Sequence, residues 1–324
     1  MSDGPETRLP SSGDTFRPGR TPRPSPGAGR RATPQRNPTL LDLSNRLTPR
    51  DYTIAHLLTE HTALTTPQLT AALFGSPVTC QHRLHALRRM RFIDRFIRNE
   101  PRRPRPVCWV PGVLSARYVA MARGEHPPSV RTVHERAERT VASATLPHLL
   151  GVNGFFTALL AAARKDRGLR LARWWSERTA TAAYGRRIQP DGHGVWVDGS
   201  ASVGFFLEYD TGSETLARIV DKLSSYQRLL AAGGPDYPVL YVLQNPRREE
   251  HLHQRLSAGV PPGVAVASTN VLLGDDPAAA VWRLWPGGSR RRLADLPSSH
   301  GEPGPINPGG PAAEDDPLWL LRGI

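Results

Sequence analysis

The chain has 324 residues, and its 42 Lys+Arg against 29 Asp+Glu leave a formal net charge of +13. An excess of that sign points to an acidic polymer as partner, most often nucleic acid, although all the basic residues except Lys165 and Lys222 are arginine, a bias that a GC-rich genome also produces. Two cysteines, Cys80 and Cys108, rule out a disulfide framework and lack zinc-ligand spacing; with no apolar run near the N-terminus for a signal peptide or membrane anchor, a cytoplasmic protein without membrane contact is expected.

Residues 1–45 are rich in Pro, Gly, Ser and Arg, lack apolar periodicity, and are expected to be a disordered basic tail. A first folded unit is expected over 46–125. Thr48-Pro49, Thr66-Pro67 and Ser76-Pro77 each set a capping hydroxyl before a proline at the first helical position. They predict helices over about 49–60, 67–74 and 77–90, the spacing of a helix-turn-helix. The third helix would bury Val78, Leu84, Leu87 and Met90 and present Thr79, Gln81, His82, Arg83, His85, Arg88 and Arg89. Alternating residues 91–97, a Pro/Arg turn and Val107–Val110 read as the wing of a winged helix. Between Gln81 and Arg105 stand nine arginines and two carboxylates. Recognition-helix residues Thr79, Gln81, His82, Arg83, Arg88 and Arg89 with wing residues Arg102, Arg103 and Arg105 form a double-stranded DNA footprint. A charged, solvated face used for protein contacts is the alternative.

After a linker at Gly124–Pro128, a second unit is expected over 130–295. Helices are predicted at about 131–145 and 147–165, a strand at 169–176, and a helix at 214–230. A buried strand follows at 238–243, then a helix at 246–257 and a strand at 264–267. Between them, Asp198-Gly199 separates two apolar runs, a strong hairpin signal. Pairing Val197 with Ser202 sets 195 against 204, 193 against 206 and Asp191 against Glu208, with Asp210 on the same face. Three carboxylates in one patch call for a positive partner, and a divalent cation is the candidate. The order αβββαβ with a mixed sheet makes the fold class α/β (α+β overall). His134, His148 and His193 read as structural, with His193 the one sharing the face of Asp191. Residues 296–324 are expected to be a disordered C-terminal tail, ending in an apolar Leu318–Leu321 peptide that docks on the body or on a protein partner.

Pro190-Asp191 followed by Glu208-Tyr209-Asp210 resembles the PD-(D/E)xK nuclease-like core. The resemblance implies Mg²⁺ held by acidic residues on adjacent strands, Asp191 and Glu208, with Glu177 as a further acidic ligand. It also implies a lysine two residues after the glutamate. Asp210 stands there instead, and Lys222 on the following helix is the candidate replacement, so Asp191, Glu208, Asp210 and Lys222 form the candidate catalytic set. From Leu47 to Leu296 the chain also resembles the actinobacterial replication-relaxation family. The stretches that carry this are Leu47-Thr-Pro-Arg-Asp51, His148-Leu-Leu-Gly-Val-Asn153, Trp174-Trp-Ser-Glu177, Pro190-Asp-Gly192, Phe205 to Gly212, and Lys222-Leu-Ser-Ser-Tyr226. That resemblance implies a winged-helix DNA-binding protein serving replication or transfer of a plasmid or integrative element.

Two functions stay open. One is a Mg²⁺-dependent DNA endonuclease. The other is a non-enzymatic transcriptional or replication regulator on a degenerate nuclease fold, its carboxylates paired to arginines such as Arg186, Arg187 or Arg218. A tyrosine relaxase is disfavoured, because His251 and His253 diverge on a helix, and there is no phosphate-cradling glycine loop. Winged-helix proteins are often homodimers, but no interface is written in the sequence.

Overall fold

A computed structural model describes residues 39–97, 106–212, 215–257 and 259–322. Residues 1–38 and the expected wing tip, with Arg102, Arg103 and Arg105, lie outside the described residues. The chain from Pro38 onward clusters as one compact unit. Residues 39–45, part of the expected tail, are structured from Thr39 onward. The Thr39 side chain caps the short helix α1 (Leu40–Leu43), and Leu43 is buried.

Then come α2 (Pro49–His61), β1 (Leu64–Thr65), α3 (Thr66–Leu73), α4 (Pro77–Arg89), β2 (Ile93–Ile97), β3 (Val107–Pro111) and α5 (Val113–Ala122). The strands form a small sheet in the order β1-β3-β2. Thr48 opens α2 as expected: its backbone N–H donates to Asp51 Oδ2 at 2.6 Å and its hydroxyl at 2.8 Å. For α3 the capping residue is Thr65, not Thr66. The Thr66 hydroxyl instead accepts a 2.9 Å hydrogen bond from the Trp109 indole of β3. The buried face of α4 is Cys80, Leu84 and Leu87, at i, i+4 and i+7, while Val78 is 62% exposed. The apolar pattern places Val78 inside; two residues before Cys80, it falls on the far side of the helix.

The second half contributes α6 (Val130–Ala142), α7 (Leu146–Lys165), β4 (Leu169–Ser176), α8 (Glu177–Ala183), β5 (Gly192–Asp198) and β6 (Ala201–Tyr209). It continues with α9 (Leu216–Asp221), α10 (Leu223–Ala231), β7 (Val239–Leu243), α11 (Pro246–Leu256), β8 (Val266–Asn270) and β9 (Arg283–Leu284). The mixed sheet runs β4-β5-β6-β7-β8-β9, with β6, β7 and β8 parallel and the remaining pairs antiparallel. The whole is a mixed α/β fold with two sheets. The hairpin register is the expected one: Val197 faces Ser202, Val195 faces Gly204 and His193 faces Phe206. The predicted helix over 214–230 is interrupted at Lys222, which separates α9 from α10.

Helix α7 is long and apolar enough to cross a membrane. Here it buries Phe155, Phe156, Leu159 and Leu160 in a core shared with Trp174, Trp196 and Phe205 of the sheet and with α2, α3 and α4. Each such side chain contributes about 1.5–3 kcal/mol on burial. Polar contacts fasten the two halves. Buried Asn153 donates to the carbonyls of His61 (3.1 Å) and Ala63 (2.8 Å), and Gln68 donates to Leu150 O at 2.6 Å. Arg164 donates to three carbonyls around the end of α3, those of Thr70, Ala71 and Phe74.

Residues 297–322 do not behave as the disordered tail the composition suggests. Arg173 of β4, 2% exposed, donates to Gly309 O (3.0 Å), Gly310 O (2.9 Å) and Asp315, and lies over the Trp175 ring at 4.2 Å. His300 bonds Tyr237 and Ser202. Leu318 is buried, and Trp319 of α12 (Trp319–Arg322) meets the His56 ring edge-on at 6.4 Å. The terminal apolar peptide therefore docks on the body. A composition of Gly and Pro hides this, because the carbonyls that Arg173 reads are present whatever the side chains.

Candidate active site

Asp191 immediately precedes β5, and Glu208 is the penultimate residue of β6. Both stand at the end of the sheet where the parallel strands β6 and β7 finish. The β5–β6 ladder stops at Gly192 opposite Leu207, one pair short of the expected Asp191–Glu208 pair. Asp191 completes the edge with its side chain: Oδ2 accepts the Tyr209 backbone N–H at 2.7 Å. Its Oδ1 lies 3.1 Å from His148 Nε2 in the first turn of α7. The Asp191 carboxylate holds the His148 imidazole above its ordinary pKa despite burial, with Glu177 and Glu208 adding to the effect.

Glu208 is 4% exposed. Its Oε2 accepts from Lys222 Nζ at 2.9 Å and its Oε1 from Tyr226 OH at 2.6 Å. Burial, reinforced by the Asp191 charge, outweighs Lys222 and Tyr226 and pushes Glu208 up to about 7. The lysine that the sequence pattern singles out thus meets the strand glutamate: at the helical break after Asp221, Lys222 reaches back to β6.

The other candidates are engaged elsewhere. Asp210, expected in the patch, takes the Arg248 guanidinium from the first turn of α11 through both oxygens. Glu177, the first residue of α8, accepts from the Gln189 side chain. Among the described residues no group of three or more His, Cys, Asp or Glu side chains is arranged to hold a metal ion. His193 is fully buried between Tyr184 OH (3.2 Å) and Phe205 O (2.8 Å), and burial drives its pKa down to about 3; it is a core residue. His253 is likewise buried, against Ser268.

The pair that remains, Asp191 and Glu208, suits Mg²⁺ on chemical grounds. That ion is usually held by one or two carboxylates, with waters and substrate phosphate completing the shell. Each carboxylate oxygen keeps lone-pair capacity beyond its present bond. Burial first, and the Asp191 charge second, raise the Glu208 pKa, and a cation beside the carboxylate would offset that cost. These two residues, without Glu177 or Asp210, would hold it.

His148 is the residue that sequence reasoning assigned to structure and the fold assigns to the site. Its motif held a signal. Gly151, one turn on, lies so close to the Tyr209 ring that a Cβ there would come within 2.4 Å of it. With the Tyr209 ring where it lies, a side chain at this position would have to displace it for the helix to come this close to the end of β6. Around these groups opens a cleft of about 1280 Å³. Arg139, Arg178, Arg186, Arg187 and Arg218 line it, as does Glu60. Glu60 accepts from Ser176 (2.7 Å) and Thr179 and pairs with Arg123 (3.3 Å) and Arg178 (3.4 Å).

On α4, Thr79, Gln81, His82, Arg88 and Arg89 are exposed. Arg83 turns inward. It donates to both oxygens of the fully buried Asp51 and, at 2.9 Å, to Arg46 O, tying α4 to α2.

The site and fold define a mixed α/β protein with a carboxylate–lysine pair at the strand ends of an arginine-lined cleft. The chain belongs to the replication-relaxation family, whose model matches residues 56–239, from within α2 to the first residue of β7. That span includes α4, His148, Asp191, Glu208 and Lys222 but not Arg248. No curated protein and no solved structure gives a match.

Proposed function

We propose that this protein binds DNA through a winged helix-turn-helix formed by α2, α3, α4 and the β2–β3 hairpin, and hydrolyses a phosphodiester in the cleft at Asp191, Glu208 and Lys222. Its setting would be replication or transfer of a plasmid or integrative element in the cytoplasm. The observation that carries the cleavage reading is the 2.9 Å contact of Lys222 Nζ with Glu208, beside Asp191. It restores, from a helix, the acidic-acidic-lysine set that Asp210 interrupts on the strand.

Bound Mg²⁺ would supply Lewis-acid polarisation and a water of lowered pKa. The chain's own residues do the rest. Asp191 and Glu208 present oxygen donors. Lys222 offers a positive charge for the phosphoryl oxygens as negative charge builds. His148, its proton favoured by Asp191, is the candidate acid for the leaving oxygen. The test is nicking of supercoiled plasmid with Mg²⁺ by the wild type and Asp191→Ala. Nicking by the wild type alone supports the reading; equal nicking, or none from either, sinks it.

A second reading has its own observation. Every oxygen of Asp191, Glu208 and Asp210 already has a protein partner, as in a nuclease fold retained only as a DNA-binding platform. It predicts binding that survives EDTA and weakens steeply with salt.

A further inference from the structure

The cleft carboxylates have partners other than Arg186, Arg187 and Arg218. Glu208 takes Lys222 and Tyr226, Asp191 takes His148 and the Tyr209 N–H, Asp210 takes Arg248, Glu60 takes Arg123 and Arg178, and Glu177 takes Gln189. Arg186, Arg187 and Arg218 line the same cleft, are exposed, and have no carboxylate partner among the described residues. Four lining guanidinium groups thus pair with none of the five cleft carboxylates; Arg139 donates to the Glu135 carbonyl, which leaves Arg186, Arg187 and Arg218.

The backbone adds a second, independent observation. Gly185 and Arg186 both lie in the left-handed region, at φ 60° and 59°, where α8 ends. Glycine adopts that conformation freely, but a side chain such as arginine does so at a cost. The Arg186 N–H closes the helix end by bonding Thr181 O at 2.8 Å, a bond any residue could make. The side chain itself is exposed at the cleft. A costly backbone conformation at an exposed cleft residue motivates a role for its side chain toward a ligand. Elsewhere in the lining, Arg218 of α9 precedes by four residues Lys222, the residue that ends that helix and contacts Glu208.

We propose that Arg186, Arg187 and Arg218 form a phosphate grip that holds a DNA backbone across the Asp191–Glu208 pair. The proposal rests on the reading of the cleft as a DNA site. Guanidinium forks match phosphate oxygens two at a time, which suits gripping a backbone without reading its bases.

The test is DNA binding by the full chain in EDTA, so that cleavage plays no part, using short single-stranded and duplex oligonucleotides. The variant Arg186→Ala/Arg187→Ala/Arg218→Ala is compared with Arg136→Ala/Arg167→Ala/Arg255→Ala, which removes the same charge from exposed positions outside the cleft. The cleft variant should lose roughly tenfold or more in affinity at low salt, and its salt slope should fall by about two to three, near 0.9 for each phosphate that is no longer neutralised. A weakening on one oligonucleotide form identifies which form the cleft holds. Affinity equal to the control on both forms overturns the proposal. Arg186→Gly separates grip from folding: its melting temperature should be unchanged or higher while DNA binding weakens. A lower melting temperature with unchanged binding overturns the role of Arg186. Full binding through the grip with no plasmid nicking would overturn the cleavage reading alone.

Discussion

Replacing Glu208 with glutamine should make the protein more stable, and only above acid pH. The folded-state pKa of Glu208 is raised, from 4.5 to about 7, chiefly by burial and by the Asp191 charge. A group shifted upward binds its proton more tightly in the folded state. Below pH 4.5 both states are protonated and no penalty applies. Between 4.5 and 7 the folded state holds more protons than the unfolded one, so stability falls as pH rises. Above 7 the full penalty is present, and a shift of this size corresponds to roughly 3 kcal/mol. Glu208→Gln keeps the shape and an acceptor for Tyr226 or Lys222 but carries no charge. Urea denaturation of both proteins from pH 4.5 to 8.5, in EDTA, measures the effect. The variant should match the wild type at the acid end and exceed it increasingly toward pH 8. The buried histidines His56, His61 and His193, with pKa values lowered to about 4, 4 and 3, give a slope of opposite sign. That slope is common to both proteins and drops out of the difference. Stability curves that stay parallel across the range would refute the charge-crowding argument.

Other outcomes follow from the same structure. Arg83→Ala removes the partner of the fully buried Asp51 and should cost on the order of 3 kcal/mol in denaturation experiments. Arg88→Ala and Arg89→Ala should leave stability within about 0.5 kcal/mol and lower duplex affinity in a salt-dependent way; a destabilisation as large as that of Arg83→Ala would contradict their exposed placement. Arg173→Met should cost roughly 3 kcal/mol or more by leaving Asp315 unpaired, and limited proteolysis should then cut within 297–322. Unchanged protection of that segment would show that Arg173 does not anchor it. Asn153→Ala removes a buried donor from the Ala63 carbonyl and one of two from the His61 carbonyl and should cost about 1–3 kcal/mol, read as a lower urea midpoint.

What the sequence disclosed follows a pattern. The hairpin register is legible because Asp198-Gly199 specifies the turn and each strand alternates, so a local rule sets every pair from Val197–Ser202 onward. Lys222 is legible because it is one of two lysines in the chain and follows Glu208 by fourteen residues, within reach of one connection. Apart from local slips such as Val78 and the Thr65 cap, the failures at the site are partners brought from afar. Arg248 captures Asp210 from 38 residues away, and Arg173 captures Asp315 from 142. Arg83 belongs to a basic run that reads as a DNA face, yet Asp51 on another helix turns it inward. His148 looks like any helix-start histidine until Gly151 lets α7 close on Tyr209 and Asp191. Periodicity specifies which face a residue occupies; it does not specify which distant charge will meet it there.

The account turns on Asp191 and Glu208 acting together as oxygen donors to a cation. Titration calorimetry of the wild type and Asp191→Ala with Mg²⁺ near pH 6.5, in two buffers of different ionisation enthalpy, tests this directly. Because burial raises Glu208 to about 7, the carboxyl is largely protonated at pH 6.5, and cation binding there is expected to release that proton. The wild type should show single-site heat that differs between buffers by the enthalpy of that proton, and Asp191→Ala should show none. No heat from the wild type, or the same heat from both proteins, would contradict the account.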